Sequence, residues 1–243
     1  TEIEALADSK LVIEAIIEDL GIKRGLLANL EATCATDAIL ATNTSSISVT
    51  ALGAEMSNPE RLVGMHFFNP APVMKLVEIV SGLATSQEVA DQTHATATAW
   101  GKQAVYTKST PGFIVNRVAR PFYAESLRIF EEGGADLATL DQVIKGAGNF
   151  RMGPFELMDL IGHDVNYAVT CSVFDAYYQD PRFLPSLTQK ALVECGRLGR
   201  KSGHGFYDYA EGAEKPAAAV TTGGNAPAQV QVVGDQSVAN ALV

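Results

Sequence analysis

Over residues 1–110, short apolar runs of the buried-strand kind alternate with stretches of helical spacing; after Pro111-Gly112 the strand-like runs stop. That change of period restricts the chain to two units, an α/β sheet covered on both faces and then an all-α unit. The strand-like runs are Leu11–Ile16, Ala38–Thr42, Leu62–Phe67, Lys75–Val80 and Ala104–Thr107. Helical spacing fits 19–34, 48–55 and 86–100 between them. Beyond a boundary at 109–112, helices are expected over 113–132, 137–146, 154–161, 164–179 and 185–196. The first is kinked at Pro121 and stopped by Gly133-Gly134, and Asp136 caps the second. The helical unit runs from 111 to 209. Residues 210–243 read as a flexible linker or the start of a further module: 210–229 are rich in Ala, Gly, Pro and Thr, and 230–243 regain strand-like character.

A chain of 243 residues, 47% hydrophobic and 19% charged, can bury a sizeable core and is not of the disordered class. No apolar run approaches the roughly 18 residues of a membrane helix, and the first residues carry no signal-peptide pattern. A net charge of −10 argues against nucleic acid as a partner. It leaves phosphate-bearing cofactors open, since these need only a local cluster of donors. Cys34, Cys171 and Cys195 lie far apart with neither metal nor redox spacing. They read as small apolar residues in a reducing, cytoplasmic setting, and no metal site is expected.

The stretch from Leu62 to Val80 holds the clearest chemistry. Two apolar strands flank Asn69–Met74, and each carries a titratable residue, His66 and Glu78. An antiparallel hairpin centred on Pro72 sets them opposite one another, with Cβ atoms about 4.5–5.5 Å apart. A carboxylate on one imidazole nitrogen fixes the tautomer and leaves the other nitrogen as a base. The same pair could instead brace two strands, and a register slipped by one residue would put the two on opposite faces. Asn43-Thr44-Ser45-Ser46 follows a strand at the end of the sheet where ligands collect. Its hydroxyls suit a substrate oxygen, or equally a turn and helix cap. Asn116 stands early in a helix, where it can donate to a carbonyl or hold the two units together.

Several blocks, in order and at matching spacing to about residue 209, resemble the L-3-hydroxyacyl-CoA dehydrogenase family, the 3-hydroxybutyryl-CoA type in particular. They are Asn43–Ser46, Gly64–Pro70, Val73–Glu78, Pro111–Arg117, Met152–Leu157 and Lys201–Tyr207. The resemblance implies NAD-dependent oxidation of a (3S)-hydroxyacyl-CoA to the 3-ketoacyl-CoA, as in fatty-acid β-oxidation and aromatic-compound catabolism. It implies that His66 is the general base, that Glu78 orients it, and that Ser45 and Asn116 lie beside the substrate. It places Glu18, Lys23, Ser45, Asn69 and Lys201 on NAD, though Glu18 and Lys23 could be solvated helix charges and Lys201 a loop charge. It further implies an acyl-CoA substrate and a homodimer made through the helical unit. His94, His163 and His204 read as structural or exposed.

Members of that family open with a strand, a glycine-rich turn and a helix that hold the pyrophosphate. The nearest approach here is Gly146-Ala147-Gly148-Asn149, preceded by a helix rather than a strand. The acidic residue for the adenosine ribose and the CoA-binding helical hairpin are not found either. The first unit is therefore expected to be a partial, doubly wound Rossmann-like domain (residues 1–110) without its first strands. On this reading the chain is a piece of a longer protein, inactive alone, with the Leu11–Ile16 strand at an open edge. A non-catalytic binding or oligomerisation relative, or a dehydrogenase of another 3-hydroxy acid, would share these features.

Overall fold

A computed structural model describes residues 2–219. The strand-like character expected in 230–243, and the linker from 220 on, lie outside the described residues. Five strands form one sheet in chain order: β1 (Leu11–Glu14), β2 (Ile39–Thr42), β3 (Leu62–Phe67), β4 (Leu76–Ser81) and β5 (Gln103–Lys108). β1, β2 and β3 are mutually parallel, β4 is antiparallel to β3, and β5 is parallel to β4. β1 has one neighbour among the described residues and so forms an edge. The parallel steps are made by α1 (Leu20–Thr33) and α2 (Val49–Gly53), and the β4–β5 step by α3 (Gln87–Ala99). Their N-caps are Asp19, Ser48 and Ser86, each accepting a backbone N–H three residues on.

Side-chain alternation sorts the strands into two cores. Val12, Leu40, Leu62 and Val80 face α1 and α2, packing on Leu27, Leu30, Val49 and Leu52. Ile39, Ala41, Val63, Met65, Val77 and Ile79 face α3. Glu14, Thr42, His66 and Glu78 share the parity of the first set. They therefore stand on the α1/α2 face, at the ends of β1–β3 where parallel strands present their carboxyl termini. Gly64 sits among them because a Cβ there would come within 2.6 Å of Val80 Cβ and 3.1 Å of Val49.

After β5 the chain turns at Thr110–Ile114. Gly112 and Phe113 both take positive φ, 73° and 47°, and Phe113 is buried in the α1/α2-side core. Then follow α4 (Val115–Glu131), α5 (Leu137–Gly148), α6 (Pro154–Ile161), α7 (His163–Ala176) and α8 (Leu187–Glu194). α4 continues through Pro121, and Asp136 caps α5. α7 stops short of the expected 179 because Tyr178 and Gln179 adopt left-handed backbone, φ 54° and 64°. β1 likewise ends at Glu14 rather than Ile16, whose N–H turns back to the Glu14 carboxylate. The 146–149 stretch is no phosphate loop: Gly148 ends α5 and Asn149 is its left-handed cap.

The helical unit closes around Asp159, which is fully buried. It accepts from His163 Nε2 (2.7 Å), Phe206 N, Tyr207 N and the Tyr209 hydroxyl. Burial alone would raise its pKa, but these hydrogen bonds outweigh it and hold the carboxyl below its usual range. Burial and Asp159 push Tyr209 up to about 12. Residues 210–219 have no helix or strand, yet they are not a free linker. Lys215 lies over the Tyr207 ring and pairs with Glu156, and Ala219 N donates to Thr139. Among the described residues no helix is long and apolar enough to cross a membrane.

Gly64→Ala is expected to destabilise the fold by about 1–3 kcal/mol, since neither Val80 nor β4 can give way. Urea unfolding of the two proteins measures it.

Candidate active site

The β3–β4 register sets His66 opposite Glu78, the in-register alternative of the two open at the sequence level. His66 Nδ1 and Glu78 Oε2 are 2.7 Å apart, and both side chains are buried. A carboxylate only accepts, so Nδ1 carries a proton, and in the neutral imidazole Nε2 is then the nitrogen with the lone pair. Nε2 makes no hydrogen bond among the described residues. Phe68 and Phe113 pack on the ring, with centroids 4.6 and 5.6 Å away.

The other Glu78 oxygen, Oε1, accepts from Ile114 N (2.8 Å) and Val115 N (3.0 Å). These are donors left over at the start of α4. One carboxylate thus joins the imidazole to the helical unit. Nothing in the sequence pointed to this second half of the bond set. It depends on the two positive-φ residues, Gly112 and Phe113, which lift the amides to Glu78.

A second polar group lies at the ends of β1 and β2. Glu14 is buried and holds Lys23 Nζ (2.9 and 2.8 Å), the Thr42 hydroxyl and Ile16 N. Lys23 Nζ also reaches the Ile16 carbonyl and lies 3.6 Å from Glu18. Glu18 Oε1 in turn accepts from the Thr44 hydroxyl (2.6 Å), Ser45 N, Ser46 N and the Ser46 hydroxyl. Burial works to raise the Glu18 pKa. The donors from Thr44, Ser45 and Ser46, with Lys23 nearby, outweigh it and hold the carboxyl below its usual range.

Glu18, Ser45, Ser46 and Asn43 line one wall of a cleft of about 510 Å³, and Asp164, Val165 and Val169 of α7 line the other. Asn43 also ties the cleft to the base, because its Oδ1 accepts from Phe67 N, the residue after His66.

Of the residues singled out from the sequence, Ser45 and Glu18 stand on the cleft wall. Asn116 is half-buried in the first turn of α4, next to the amides that Glu78 holds. Lys201 is exposed and pairs with Asp164 at the rim, at 2.5 Å. Asn69 is exposed in the β3–β4 connection and does not line the cleft. Lys23, at 1% exposure, is not a solvated helix charge; it is buried between Glu14 and Glu18 and does not line the cleft. Glu14, the residue it serves, was missed. The rule that flagged Glu78, a lone carboxylate in an apolar strand, would have found it. His163 is buried on Asp159, His94 stacks on Tyr106 and His204 is part exposed.

Residues 1–110 match the family model described as 3-hydroxyacyl-CoA dehydrogenase, NAD binding domain, and 112–209 match its C-terminal domain. The chain is 58% identical over 209 residues to a 3-hydroxyadipyl-CoA dehydrogenase of Escherichia coli (strain K12), covering 86% of this chain and 44% of that protein. It is 40% identical over 209 residues to a 3-hydroxybutyryl-CoA dehydrogenase of Clostridioides difficile, covering 86% and 74%. A crystal structure of 3-hydroxybutyryl-CoA dehydrogenase from E. coli K12 superposes with a TM-score of 0.90 at 52% identity, over 97% of this chain and 50% of that one. The chain therefore spans about half the length of the first and third of these relatives.

Glu18→Gln is expected to flatten the acid limb of stability. With its folded-state pKa depressed, the carboxylate contributes fully above the unfolded value of about 4.3, and that contribution fades as pH falls through the folded value. Thermal unfolding across the acid range would show parallel limbs for both proteins if Glu18 contributes nothing.

Proposed function

Because the chain belongs to the 3-hydroxyacyl-CoA dehydrogenase family, we propose that it carries the proton-handling half of an NAD-dependent oxidation of 3-hydroxyacyl-CoA to 3-ketoacyl-CoA. One observation carries this reading: a buried imidazole whose Nδ1 is committed to a carboxylate while Nε2 is uncommitted. His66 Nε2 takes the C3 hydroxyl proton. Glu78, fixed by the amides of Ile114 and Val115, keeps the proton on Nδ1 and stabilises the imidazolium that forms. Removing either partner of such a pair typically costs about 10²–10⁴ in rate. Ser45, on the cleft wall, and Asn116, in the first turn of α4, hold the substrate oxygens. Phe68 and Phe113 shield the ring from water.

NAD, the cofactor of this family's N-terminal domain, supplies hydride acceptance at C3 when bound. The cleft beside Ser45 fits its nicotinamide end in size and charge: the ionised Glu18 suits a cationic ring, and the Ser45 and Ser46 hydroxyls suit a carboxamide. Lys201 stands at its rim on Asp164, and Asn69 does not line it. The pyrophosphate end has no match, since the 243 residues hold no Gly-x-Gly-x-x-Gly turn. These residues alone are accordingly read as inactive.

The acyl groups in the relatives' names, hydroxybutyryl and hydroxyadipyl, are the two chain types to try as substrates. A cytoplasmic homodimer joined through the helical unit is part of the same reading. It is supported by exposed apolar side chains on α4–α6, Ile129, Val143 and Leu160 among them.

In the enzyme expressed from its complete gene, His66→Ala is expected to lower the rate of acetoacetyl-CoA-dependent NADH oxidation by about 10²–10⁴. Undiminished activity would remove His66 as the base. Calorimetry of the 243-residue chain with NAD is expected to give no saturable binding in the micromolar range. Tight binding would show that the cradle is complete without a glycine turn.

A further inference from the structure

On α4, Val115, Val118, Ala119 and Phe122 recur at helical spacing and share one face. Val118 on it is exposed, and Val115, Ala119 and Phe122 are half-buried. With Phe150 and Met152 this face lines a groove of about 560 Å³. The groove starts at Val115, whose N–H is held by the same Glu78 that holds His66. Val115 thus belongs both to the groove and to the contact that fixes the base.

Among the side chains that line it, only Arg151 is charged. Elsewhere, Arg24, Arg61, Arg120 and Arg128 each donate to a protein oxygen. Arg151 is exposed and takes part in none of the ion pairs among the described residues. An uncommitted guanidinium on an otherwise apolar groove complements a ligand with an apolar stem and a terminal carboxylate, which it can bind in bidentate fashion.

We propose that this groove holds the acyl chain and that Arg151 pairs with a carboxylate at the chain's far end, so that the preferred substrates are ω-carboxylated 3-hydroxyacyl thioesters. This rests on the dehydrogenase reading above and chooses between its two chain types. The dimensions agree. Three carbon–carbon bonds, about 4 Å, separate C3 from the ω-carboxyl carbon of a six-carbon chain. α4 rises about 10 Å from Val115 to Phe122, and the arginine's own length covers the difference. A four-carbon chain ends in a methyl one bond beyond C3 and offers the guanidinium nothing.

The test compares 3-hydroxyadipyl-CoA with 3-hydroxyhexanoyl-CoA, chains of equal length ending in carboxylate and methyl, on the enzyme expressed from its complete gene. The wild type is expected to prefer the first. Arg151→Met should lower the ratio of the two kcat/KM values by about 10- to 100-fold. The loss should fall mainly on KM for the adipyl substrate, as befits a contact far from the reacting carbon. Arg151→Lys should recover part of the ratio.

An unchanged ratio in Arg151→Met overturns the proposal. So does a change of oligomeric state by light scattering in Val118→Glu together with an unchanged ratio in Arg151→Met, which would assign the groove to a second copy of the chain. Wild-type activity on the hexanoyl substrate without preference for the adipyl one refutes this inference alone. Inactivity on both refutes the dehydrogenase reading beneath it.

Discussion

The Glu78 carboxylate is the junction on which the site is built. One oxygen holds His66 and the other holds two amides of α4. A fully buried carboxylate is tolerable only when its lone pairs are engaged, and here the partners come from both units. The orientation of the imidazole and the placement of α4 on the sheet are therefore one constraint. The partial positive charge at the start of α4 reinforces it.

The Glu14–Lys23–Glu18 group applies the same principle at the cleft. Lys23 is sunk among carboxylates and a carbonyl, so its charge is compensated inside the protein. The acidic excess of that group is met by hydroxyls and amides of the 44–46 loop. The result is a carboxylate held ionised at the mouth of the cleft, with its geometry set by buried residues that no ligand needs to touch.

Much of this was legible in the sequence because it follows from periodicity. The alternation of apolar runs located all five strands, and hairpin symmetry about Pro72 set His66 against Glu78. The helix start at Leu137 follows from its Asp136 cap. What escaped were features that depend on backbone conformation or distant partners. Positive φ at Phe113, Tyr178 and Gln179 belongs to residue types that rarely adopt it. The burial of Lys23 was not foreseen because solvation cannot be read from a charged residue in a helical stretch. The partner that buries it, Glu14, lies in the preceding strand.

Asp159 has a consequence in time as well as in space. Two of its acceptor contacts are with the amides of Phe206 and Tyr207 and a third with the Tyr209 hydroxyl. Chains emerge from the ribosome at about 5–20 residues per second, so this carboxylate waits several seconds for most of its donors. Of its hydrogen-bond partners, His163 alone lies close to it along the chain. Glu78 waits nearly as long, since its amide donors Ile114 and Val115 lie 36 and 37 residues on. Both carboxylates therefore wait for residues made after them, and the helical half can close only when the last aromatic residues arrive.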